Sequence, residues 1–320
     1  MKSFAGKIAV ITGGGTGMGR ELARQLAEAG AHIAMCDVSE ENMAQTRALC
    51  LSHAPRVRVT THLADVSLER QVVAFRDAVA EEHETDHVDL LFNNAGIGGG
   101  GSFVNDEREE WDKTFDVCWG GVYHCSRAFL PLLMKSREAH LINTSSVNGF
   151  WASLGPQSAH TAYSAAKFAV KGFSEALVND FKLNAPHIKV SVVMPGHIGT
   201  SIVINSGKIL GRDPKEMSDE QLSEARARME RAGFPVGGAS TDQVRQALVM
   251  IGDAFRDMAP MTAAEAAQVI LQGVRDERWR ILVGKDADVL DRMVRESPED
   301  AYSESFFQKL QSSAGFTLGR

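Results

Sequence analysis

The hydrophobic positions along the first two-thirds of the chain form short apolar runs that alternate with longer segments of helical periodicity. The apolar runs predict strands at 8–12, 32–36, 57–62, 88–92, 141–144 and 190–193, and the segments between them predict helices at 18–29, 40–52, 68–83, 108–134 and 162–183. Short strands alternating with amphipathic helices are typical of a parallel sheet with helices on both faces. The pattern therefore predicts an α/β fold built on a doubly wound parallel sheet.

The pattern changes after Pro195. Residues 200–259 are polar and helical, with a break at the sequence Gly-Phe-Pro-Val-Gly-Gly, residues 233–238. Two interpretations stay open for this segment: a cover over a cleft at the ends of the strands, or an ordinary helical excursion. Farther along, the pattern predicts a helix at 263–275, a strand at 280–283 and a charged, helical tail from Asp286.

The charge and the lengths of the apolar runs exclude several classes of protein. A formal net charge of −7 gives no attraction for nucleic acid or an anionic membrane. The apolar run near the N-terminus is too short for a signal-peptide core, and no run approaches the ~18 apolar residues of a membrane-spanning helix. We therefore expect a cytoplasmic protein with no nucleic-acid partner and no membrane partner.

The four cysteines, Cys36, Cys50, Cys118 and Cys125, are scattered, with no C-x-x-C pair and no histidines at metal-ligand spacing. This density is too low for a disulfide framework, which agrees with a reducing compartment. Cys118 and Cys125 lie seven residues apart on a predicted helix, a spacing more typical of one buried face than of a redox pair. We predict no metal site.

The glycine-rich run from Gly13 to Gly19 follows the first predicted strand and opens the first predicted helix. Glycines there allow a tight turn and a close approach to a pyrophosphate, whose charge is stabilised at the helix N-terminus. The flanking strand and helix favour a dinucleotide site over a turn without ligand. The residues expected to contact the cofactor here are Gly13, Gly15, Thr16, Gly17, Met18 and Gly19.

Asp37 ends the second predicted strand, 18 residues after Gly19. A carboxylate at that place accepts hydrogen bonds from the adenosine ribose hydroxyls and repels a 2′-phosphate. No lysine or arginine lies within 13–19 or 37–41, so a partner for that phosphate is missing. We therefore expect NAD, bordered by Asp37 and Val38; the alternative is that Asp37 caps the helix beginning near Ser39.

Tyr163 and Lys167 are four residues apart on a predicted helix, so their side chains project from the same face. A phenol with a pKa of about 10 is a poor base at neutral pH. A nearby ammonium stabilises the phenolate and is expected to lower that pKa towards the working range. The pair is a candidate for acid–base chemistry, and the alternative is an amphipathic surface pair.

Further motifs follow the predicted strands in order: Asp65-Val66 after the third, Asn93-Asn94-Ala95-Gly96 after the fourth, Ser145-Ser146 after the fifth and Pro195-Gly196 after the sixth. Together with the glycine run and Tyr163-Ser164-Ala165-Ala166-Lys167, they resemble the short-chain dehydrogenase/reductase family over roughly residues 5–200. The resemblance implies a Rossmann-type fold and NAD(P)-dependent interconversion of an alcohol and a ketone. It implies that Ser146, Tyr163 and Lys167 are the catalytic residues.

The resemblance also implies where the cofactor lies. Asp65 and Val66 should border the adenine, Asn93, Ala95 and Gly96 the adenosine side, and Pro195, Gly196, Ile198 and Thr200 the nicotinamide, while Lys167, beside Tyr163, holds the nicotinamide ribose. The plainer alternatives are that Asn93-Asn94 and Pro195-Gly196 are local turn residues. We predict one domain over 1–320, with 200–259 as a substrate-side helical excursion and 260–320 as a C-terminal strand plus helical extension.

Cys118 departs from the family pattern, because it stands where relatives usually have an asparagine that helps to hold a water in a proton relay. A thiol cannot replace an amide's donor and acceptor together, which puts the relay in doubt. A buried, inert thiol is favoured over a reactive one, since nothing charged lies nearby in sequence.

The loop at 150–160, between Ser146 and Tyr163, is expected to lie beside the substrate. Phe150, Trp151 and Leu154, with Ile202-Val203-Ile204, indicate an apolar wall, and Gln157 and His160 offer polar contacts. His160 can titrate near neutrality, although a loop histidine without a catalytic role is the favoured interpretation. The candidate substrate residues are Trp151, Gln157 and His160.

These observations favour an NAD-dependent oxidoreductase for a lipophilic secondary alcohol or ketone. An NADPH-dependent acyl ketoreductase and an NAD-binding regulator without turnover are the alternatives. The resemblance further implies a homodimer or homotetramer, formed through the helices at 108–134 and 162–183. Their apolar residues that can face a partner or the core are Phe129, Leu130, Leu132, Leu133, Phe168, Val170 and Phe173.

Overall fold

The computed structural model describes residues 1–156, 158–231 and 233–314. The strands are β1 (Ile8–Thr12), β2 (His32–Asp37), β3 (Val59–Leu63), β4 (Leu90–Asn93), β5 (Ala139–Thr144), β6 (Ile188–Pro195), β7 (Ile198–Gly199), β8 (Met261–Thr262) and β9 (Arg280–Val283). Seven of them form one sheet in the order β3-β2-β1-β4-β5-β6-β9, in which every neighbouring pair is parallel. The predicted doubly wound α/β fold is confirmed.

The helices cover both faces of this sheet. They are α1 (Gly17–Glu28), α2 (Glu40–His53), α3 (Glu69–Glu82), α4 (Arg108–Phe115), α5 (Gly121–Lys135), α6 (Thr161–Asn184), α7 (Ile202–Ile209), α8 (Asp219–Arg231), α9 (Thr241–Asp257), α10 (Ala263–Arg275), α11 (Lys285–Glu296) and α12 (Glu304–Ala314). Helices α1, α2 and α10 pack on one face, and α3, α5 and α6 pack on the other.

Strand β1 shows why the sheet has two buried faces. All five of its residues are buried. Ala9 and Ile11 point into the core under α1, whereas Ile8 and Val10 point into the core under α5. Alternate side chains of a strand face opposite sides, so a strand covered on both sides must be apolar throughout.

The ends of several strands differ from their predicted positions by one or two residues. Val57 lies in the turn after α2, where its N–H donates to the carbonyl of Ala54. The N–H of Val88 donates to the carbonyl of Leu132, at the end of α5, before β4 begins. The apolar side chains of both valines fit the pattern of a strand, but their N–H groups donate outside the sheet.

The helix predicted at 108–134 is present as a continuous helical run from Arg108 to Lys135, but a π-helical turn in its middle was not predicted. Residues 108–115 form α4, a π-helical turn follows at Asp116–Gly120, and α5 begins at Gly121. Gly121 packs on Val66, and a Cβ at Gly121 would lie 2.5 Å from the Val66 Cγ2 atom. The periodicity of apolar residues continues across the turn, which is why the sequence does not reveal it.

Within 200–231 and 233–259, the chain forms the helices α7, α8 and α9. Helices α8 and α9 share a small apolar cluster of their own, made by Met217, Leu222, Ala225, Met229 and Val244. Helix α9 begins with a capping box, in which Ser240 accepts from the Gln243 N–H and Gln243 accepts from the Ser240 N–H. The two-stranded pairing of β7 with β8, which the sequence does not indicate, closes the base of this segment.

The C-terminal extension packs back on the sheet's carboxyl edge. Helices α11 and α12 bury Leu290, Phe306 and Leu310 against Val147 and Trp151, residues that follow strand β5. Among the residues that the structure describes, no helix is both long enough and apolar enough to cross a membrane.

Candidate active site

The carboxyl ends of β1 and β4 form the floor of the candidate site. These strands are neighbours although they are not consecutive in the chain, so their following loops leave in opposite directions and open a crevice. The Thr12 hydroxyl joins the two loops, because it accepts the N–H groups of both Asn94 and Ala95 at 3.0 Å.

The glycine run passes from β1 to α1 across this crevice. Gly17 has a φ of +53°, a conformation that favours glycine, and Thr16 precedes the helix without a side-chain cap. A Cβ at Gly19 would overlap the Gly13 carbonyl oxygen, so only glycine allows α1 to start this close to β1. The free N–H groups of the first turn fit a pyrophosphate, as the sequence predicts.

Asp37 lies against the glycine run, as expected for a residue near the adenosine ribose. Its Oδ2 accepts from the Gly15 N–H at 2.9 Å, and its Oδ1 accepts from the Ser39 N–H at 3.1 Å. The cap of α2 is Ser39, whose hydroxyl accepts from the Asn42 N–H at 3.3 Å. Asp37 therefore does not cap this helix directly.

Asp65 and Val66 lie at the next loop along the sheet edge. Burial acts to raise the pKa of Asp65, but hydrogen bonds from Lys113 and Ser67 outweigh it and hold that pKa below its usual value. The Lys113 Nζ lies 2.6 Å from the Asp65 Oδ2. Asp65 is therefore an anion tied to α4, beside the buried Val66.

The two asparagines after β4 have different places. The Asn93 side chain points into the interior, where it donates to Ser126 at 3.0 Å and to Asn143 at 2.8 Å. Asn94 lines the crevice and donates to the Thr12 carbonyl at 3.1 Å. The Asn93 side chain is thus directed away from the crevice, whereas Asn94, which was not among the predicted site residues, lines it.

Ser146, Tyr163 and Lys167 come together at the ends of β5 and α6. The Lys167 Nζ donates to the Thr144 carbonyl at 2.9 Å and lies 5.3 Å from the centre of the Tyr163 ring. Ser146 is hydrogen-bonded to Tyr163, and its hydroxyl accepts from the Asn148 N–H at 3.1 Å. The neighbouring Ser145 turns away and donates to the Lys167 carbonyl at 2.7 Å.

The predicted lowering of the Tyr163 pKa is wrong. Burial raises the pKa of this phenol well above its usual value, Cys118 adds to the rise, and the hydrogen bond with Ser146 only partly opposes it. Burial also lowers the pKa of Lys167, with Cys118 acting in the other direction. Desolvation of the pair outweighs the charge effect that the sequence spacing indicated.

Cys118 lies within this group of residues, in the π-helical turn. It is fully buried, and its thiol donates to the Ile97 carbonyl at 3.2 Å. Gly96 lies between it and Lys167, since a Cβ at Gly96 would be 3.5 Å from the Lys167 Nζ and 3.7 Å from the Cys118 Sγ. The buried location agrees with the favoured interpretation of an inert thiol.

The segment after β6 closes the other side of the crevice. Pro195, Gly196, Ile198 and Thr200 line it, and the Thr200 Cγ2 would lie 3.1 Å from a Cβ at Gly17. The nicotinamide-side residues of the prediction are thus brought next to the glycine run and to Lys167.

These features have counterparts in known proteins. The sequence profile of the family described as short chain dehydrogenase matches residues 7–209. The chain belongs to the short-chain dehydrogenase/reductase family. It is accordingly an oxidoreductase that acts on CH–OH groups with a nicotinamide cofactor, and the glycine cradle and the free N–H groups of α1 fit that cofactor.

Two curated relatives in this family share about a third of their aligned residues with the chain. An oxidoreductase of Mycobacterium tuberculosis, SadH, is 34% identical over 277 residues, which cover 86% of this chain and 97% of that protein. The levodione reductase of Leifsonia aquatica is 34% identical over 219 residues, covering 68% of this chain and 79% of the reductase.

The fold also resembles solved structures. A short-chain dehydrogenase/reductase of Burkholderia phymatum, crystallised in complex with NAD, superimposes with a TM-score of 0.74 at 28% identity. The match covers 93% of this chain and 96% of that chain. The likeness therefore extends beyond the residues of the family profile into the C-terminal part.

The crevice of this family member opens into a cavity of about 770 Å³. Ser146, Tyr163 and Lys167 line one part of it, and many of its other lining residues come from the segment 200–259. The apolar residues of the lining include Leu154 and, from that segment, Ile202, Val203, Ile204, Met217, Met229, Leu248 and Phe255. Of the predicted apolar wall, Phe150 and Trp151 are not part of it.

The three candidate substrate residues have different outcomes. The expectation for Trp151 does not hold, because it is 2% exposed and its indole N–H donates to the Ala301 carbonyl at 2.6 Å. Gln157 lies outside the described residues. His160 lines the cavity, with its ring centre 4.7 Å from that of Tyr163.

His160 does not titrate near neutrality, because burial lowers its pKa to about 4. A neutral ring packed on Tyr163 can shape the cavity, which agrees with the favoured interpretation that it has no catalytic role. Asn148, which the sequence analysis missed, also lines the cavity and donates to the carbonyls of Trp151 and Ser153 at 3.0 and 2.8 Å.

The helices expected at a dimer interface expose fewer of the named residues than predicted. Phe129, Leu133 and Val170 are fully buried, so core packing accounts for them. Phe168 is exposed. Other large apolar side chains exposed on α5 and α6 are Tyr123, Met134 and Leu183.

Proposed function

We propose that this chain is an NAD-dependent dehydrogenase/reductase that interconverts a secondary alcohol and a ketone on a lipophilic small molecule. The observation that carries the proposal is the meeting of Ser146, Tyr163 and Lys167 at the inner end of a largely apolar cavity. That cavity runs directly past the glycine run and Pro195-Gly196, so substrate and cofactor can share one space.

The contacts of the three side chains support a role for each. The Ser146 hydroxyl orients the substrate oxygen and donates a hydrogen bond to it. Tyr163 gives a proton to that oxygen in the reductive direction and takes one in the oxidative direction. Lys167, held by the Thr144 carbonyl, has two further N–H donors for a ribose hydroxyl and for the phenol side of the site.

The raised pKa of Tyr163 favours one direction of proton transfer near neutral pH. The phenol stays protonated there, which suits a proton donor to a carbonyl oxygen. A bound nicotinamide dinucleotide supplies the hydride donor or acceptor. The Lys167 ammonium is the nearby group that favours the phenolate when an alcohol is oxidised.

The preference for NAD rests on Asp37. Its carboxylate, fixed on the Gly15 N–H, lies where an adenosine 2′-phosphate would meet a like charge. Arg20, the nearest cation in sequence, is already engaged, because its guanidinium donates to the Gly15 carbonyl at 2.7 Å and to Thr46 at 3.1 Å. The relative from Burkholderia phymatum, crystallised with NAD, supports the same preference.

A homo-oligomer is part of the proposal. The exposed residues Tyr123, Met134, Phe168 and Leu183 of α5 and α6 offer apolar area for a second copy of the chain. Light scattering of the purified protein tests this part, and a monomer at micromolar concentration would contradict it.

The proposal is tested by following NADH formation from a panel of lipophilic secondary alcohols, with NADP in parallel wells. We expect turnover with NAD and a loss of about a thousandfold in Tyr163→Phe, which keeps the ring but removes the proton. Tyr302→Phe is the matched control on the C-terminal extension. Equal activity in Tyr163→Phe would refute the assigned base, and a preference for NADP would favour a ketoreductase that uses NADPH.

A further inference from the structure

The outer part of the cavity is charged as well as apolar. Its lining contains the cations Lys208, Arg212, Lys215, Arg228 and Arg256 and the carboxylates Asp213 and Asp253. Two of these cations are neutralised by close partners. Arg212 pairs with Glu110 at 2.6 Å, and Arg256 pairs with Asp253 at 3.0 Å.

Three cations of this lining have no such partner. Within 1–156, 158–231 and 233–314, no ion pair or side-chain hydrogen bond engages the charged groups of Lys208, Lys215 or Arg228. One carboxylate of the lining, Asp213, accepts the backbone N–H of Lys215 at 3.1 Å. The lining charges without an ion pair are therefore three cations and one carboxylate, a positive excess in a chain whose net charge is −7.

Helix α7 carries both apolar lining residues and one of the three cations. Its middle contacts the loops after β1 and β4, where the Asn205 amide donates to Thr16 at 3.1 Å and the Ser206 hydroxyl accepts from the Gly98 N–H at 2.8 Å. Lys208 lies in its last turn, about 9 Å along the helix axis from Ile202. One helix therefore presents apolar side chains and a cation to the same cavity.

The segment that carries Lys215 is held in place by the same group of helices. The Arg245 guanidinium of α9 donates to the carbonyl of Pro214 and, at 3.0 Å, to that of Met217. Arg228 lies on α8, next to the buried Met229 of the small cluster. Two of the three cations thus sit on anchored backbone rather than on a free loop.

We propose that the substrate is an amphiphile, with an apolar body that carries an anionic group remote from its alcohol or ketone. Ile202, Val203 and Met229 contact the body, and Lys208, Lys215 and Arg228 bind the anion. Carboxylate, phosphate and sulfate share the chemistry that these cations recognise. The inference rests on the proposed function, because it places the alcohol or ketone at Tyr163.

Binding measured by calorimetry in the presence of NAD tests the inference without turnover. The probes are decanoate, decyl phosphate, decyl sulfate and the uncharged 1-decanol, so the three anions are compared on one apolar chain. We expect at least one anion to bind about tenfold more tightly than the alcohol, with the preference shrinking as salt is added. Equal affinity for all four probes would overturn the inference.

Substitution of the cations identifies the site. The triple variant Lys208→Gln/Lys215→Gln/Arg228→Gln is expected to lose the anion preference, whereas Lys208→Arg/Lys215→Arg/Arg228→Lys keeps it. Lys309→Gln, on α12, is the matched surface control and should bind all probes as the parent protein does. An anion preference that survives in the glutamine triple variant would overturn the inference.

A turnover measurement separates this inference from the proposed function. The pair is a fatty acid with a hydroxyl on its penultimate carbon and the methyl ester of that acid. Oxidation of both, with a higher kcat/KM for the acid that is lost in the glutamine triple variant, is the expected result. If neither is oxidised while the binding preference depends on the three cations, the proposed function fails and the anion site stands.

Discussion

The cofactor side and the substrate side of this molecule are built in different ways. On the cofactor side, β1 is buried at every residue, and Gly13 and Gly19 lie so close to main-chain atoms that a side chain does not fit. On the substrate side, the described residues of 200–259 share a small apolar cluster, and Met250 and Met258 of this segment are 69% and 74% exposed. The first region fixes a geometry common to one cofactor, whereas the second can change its lining without disturbing the sheet.

The largest expected contrast between the regions is in their glycines. In Gly19→Ala the new Cβ overlaps the Gly13 carbonyl. We expect the free energy of unfolding of this variant to fall by about 3 kcal/mol, or the variant protein to lose most of its affinity for NAD. Gly237→Ala, in the substrate-side segment, meets nothing within 4 Å and should change stability by at most about 1 kcal/mol. Urea denaturation and NAD titration measure both, and similar losses in the two variants would contradict the comparison.

Charge should matter specifically at the cofactor side. Asp37→Asn keeps an oxygen for the Gly15 N–H but removes the negative charge that faces a 2′-phosphate. We expect the difference in binding free energy that favours NAD over NADP to fall by about 2 kcal/mol. Asp242→Asn, on the exposed start of α9, is the control and should leave this difference unchanged. An unaltered difference in Asp37→Asn would show that another residue sets the preference.

Protonation of histidines at acid pH should destabilise the sheet region rather than the segment 200–259, which contains no histidine. Burial lowers the pKa of His140, on β5, to about 3, so this ring stays neutral in the folded protein while the unfolded chain takes up a proton below about pH 6.5. The contribution of His140 to stability is full above that pH and is lost as pH falls, by about 1.4 kcal/mol per pH unit.

Unfolding free energies at pH 7 and pH 5 test this assignment. His140→Gln cannot titrate, so its stability should fall less steeply with acid than that of the parent protein. His53→Gln, at an exposed end of α2, serves as the control with the parent's slope. Parallel slopes in the parent protein and His140→Gln would remove His140 as the cause.

The smallest effect is expected where the two regions meet. The Ser206 hydroxyl accepts from the Gly98 N–H and donates to the Ile202 carbonyl, so it ties α7 to the loop after β4. Ser206→Ala should raise KM about fivefold, near 1 kcal/mol, with little change in kcat. Ser223→Ala on α8 removes a comparable hydroxyl away from this junction. A fall in kcat alone would mean that Ser206 acts on the chemical step instead.

The sequence predicted those parts of the site whose geometry is local. The glycine run lies between one strand and one helix, and Tyr163 and Lys167 share a helix face, so spacing alone relates their members. The positions of the strands along the chain, to within one or two residues at their ends, followed from the alternation of the hydrophobic pattern. These elements needed no knowledge of distant contacts.

Contacts between distant segments account for what the sequence missed. Trp151 fits an apolar wall by its type, yet it is buried by α12, some 150 residues farther along the chain. The Tyr163 pKa depends on burial from several elements, which no spacing within α6 records. The side chains of Asn93 and Asn94 are told apart only by their partners on β5 and at Thr12.

The pairing of Ile198 with Met261 brings the two ends of the substrate-side segment together at the sheet. Paired strands lie about 4.8 Å apart, so the two ends of the segment 200–259 join the rest of the fold side by side. A segment anchored in this way can be exchanged as a unit, because a graft needs to match those two adjoining ends and a few contacts with the scaffold, among them those of Asn205, Ser206 and Arg212. Exchanging this segment between family members is thus a practical route to new substrate preferences while the sheet and the cofactor side stay unchanged.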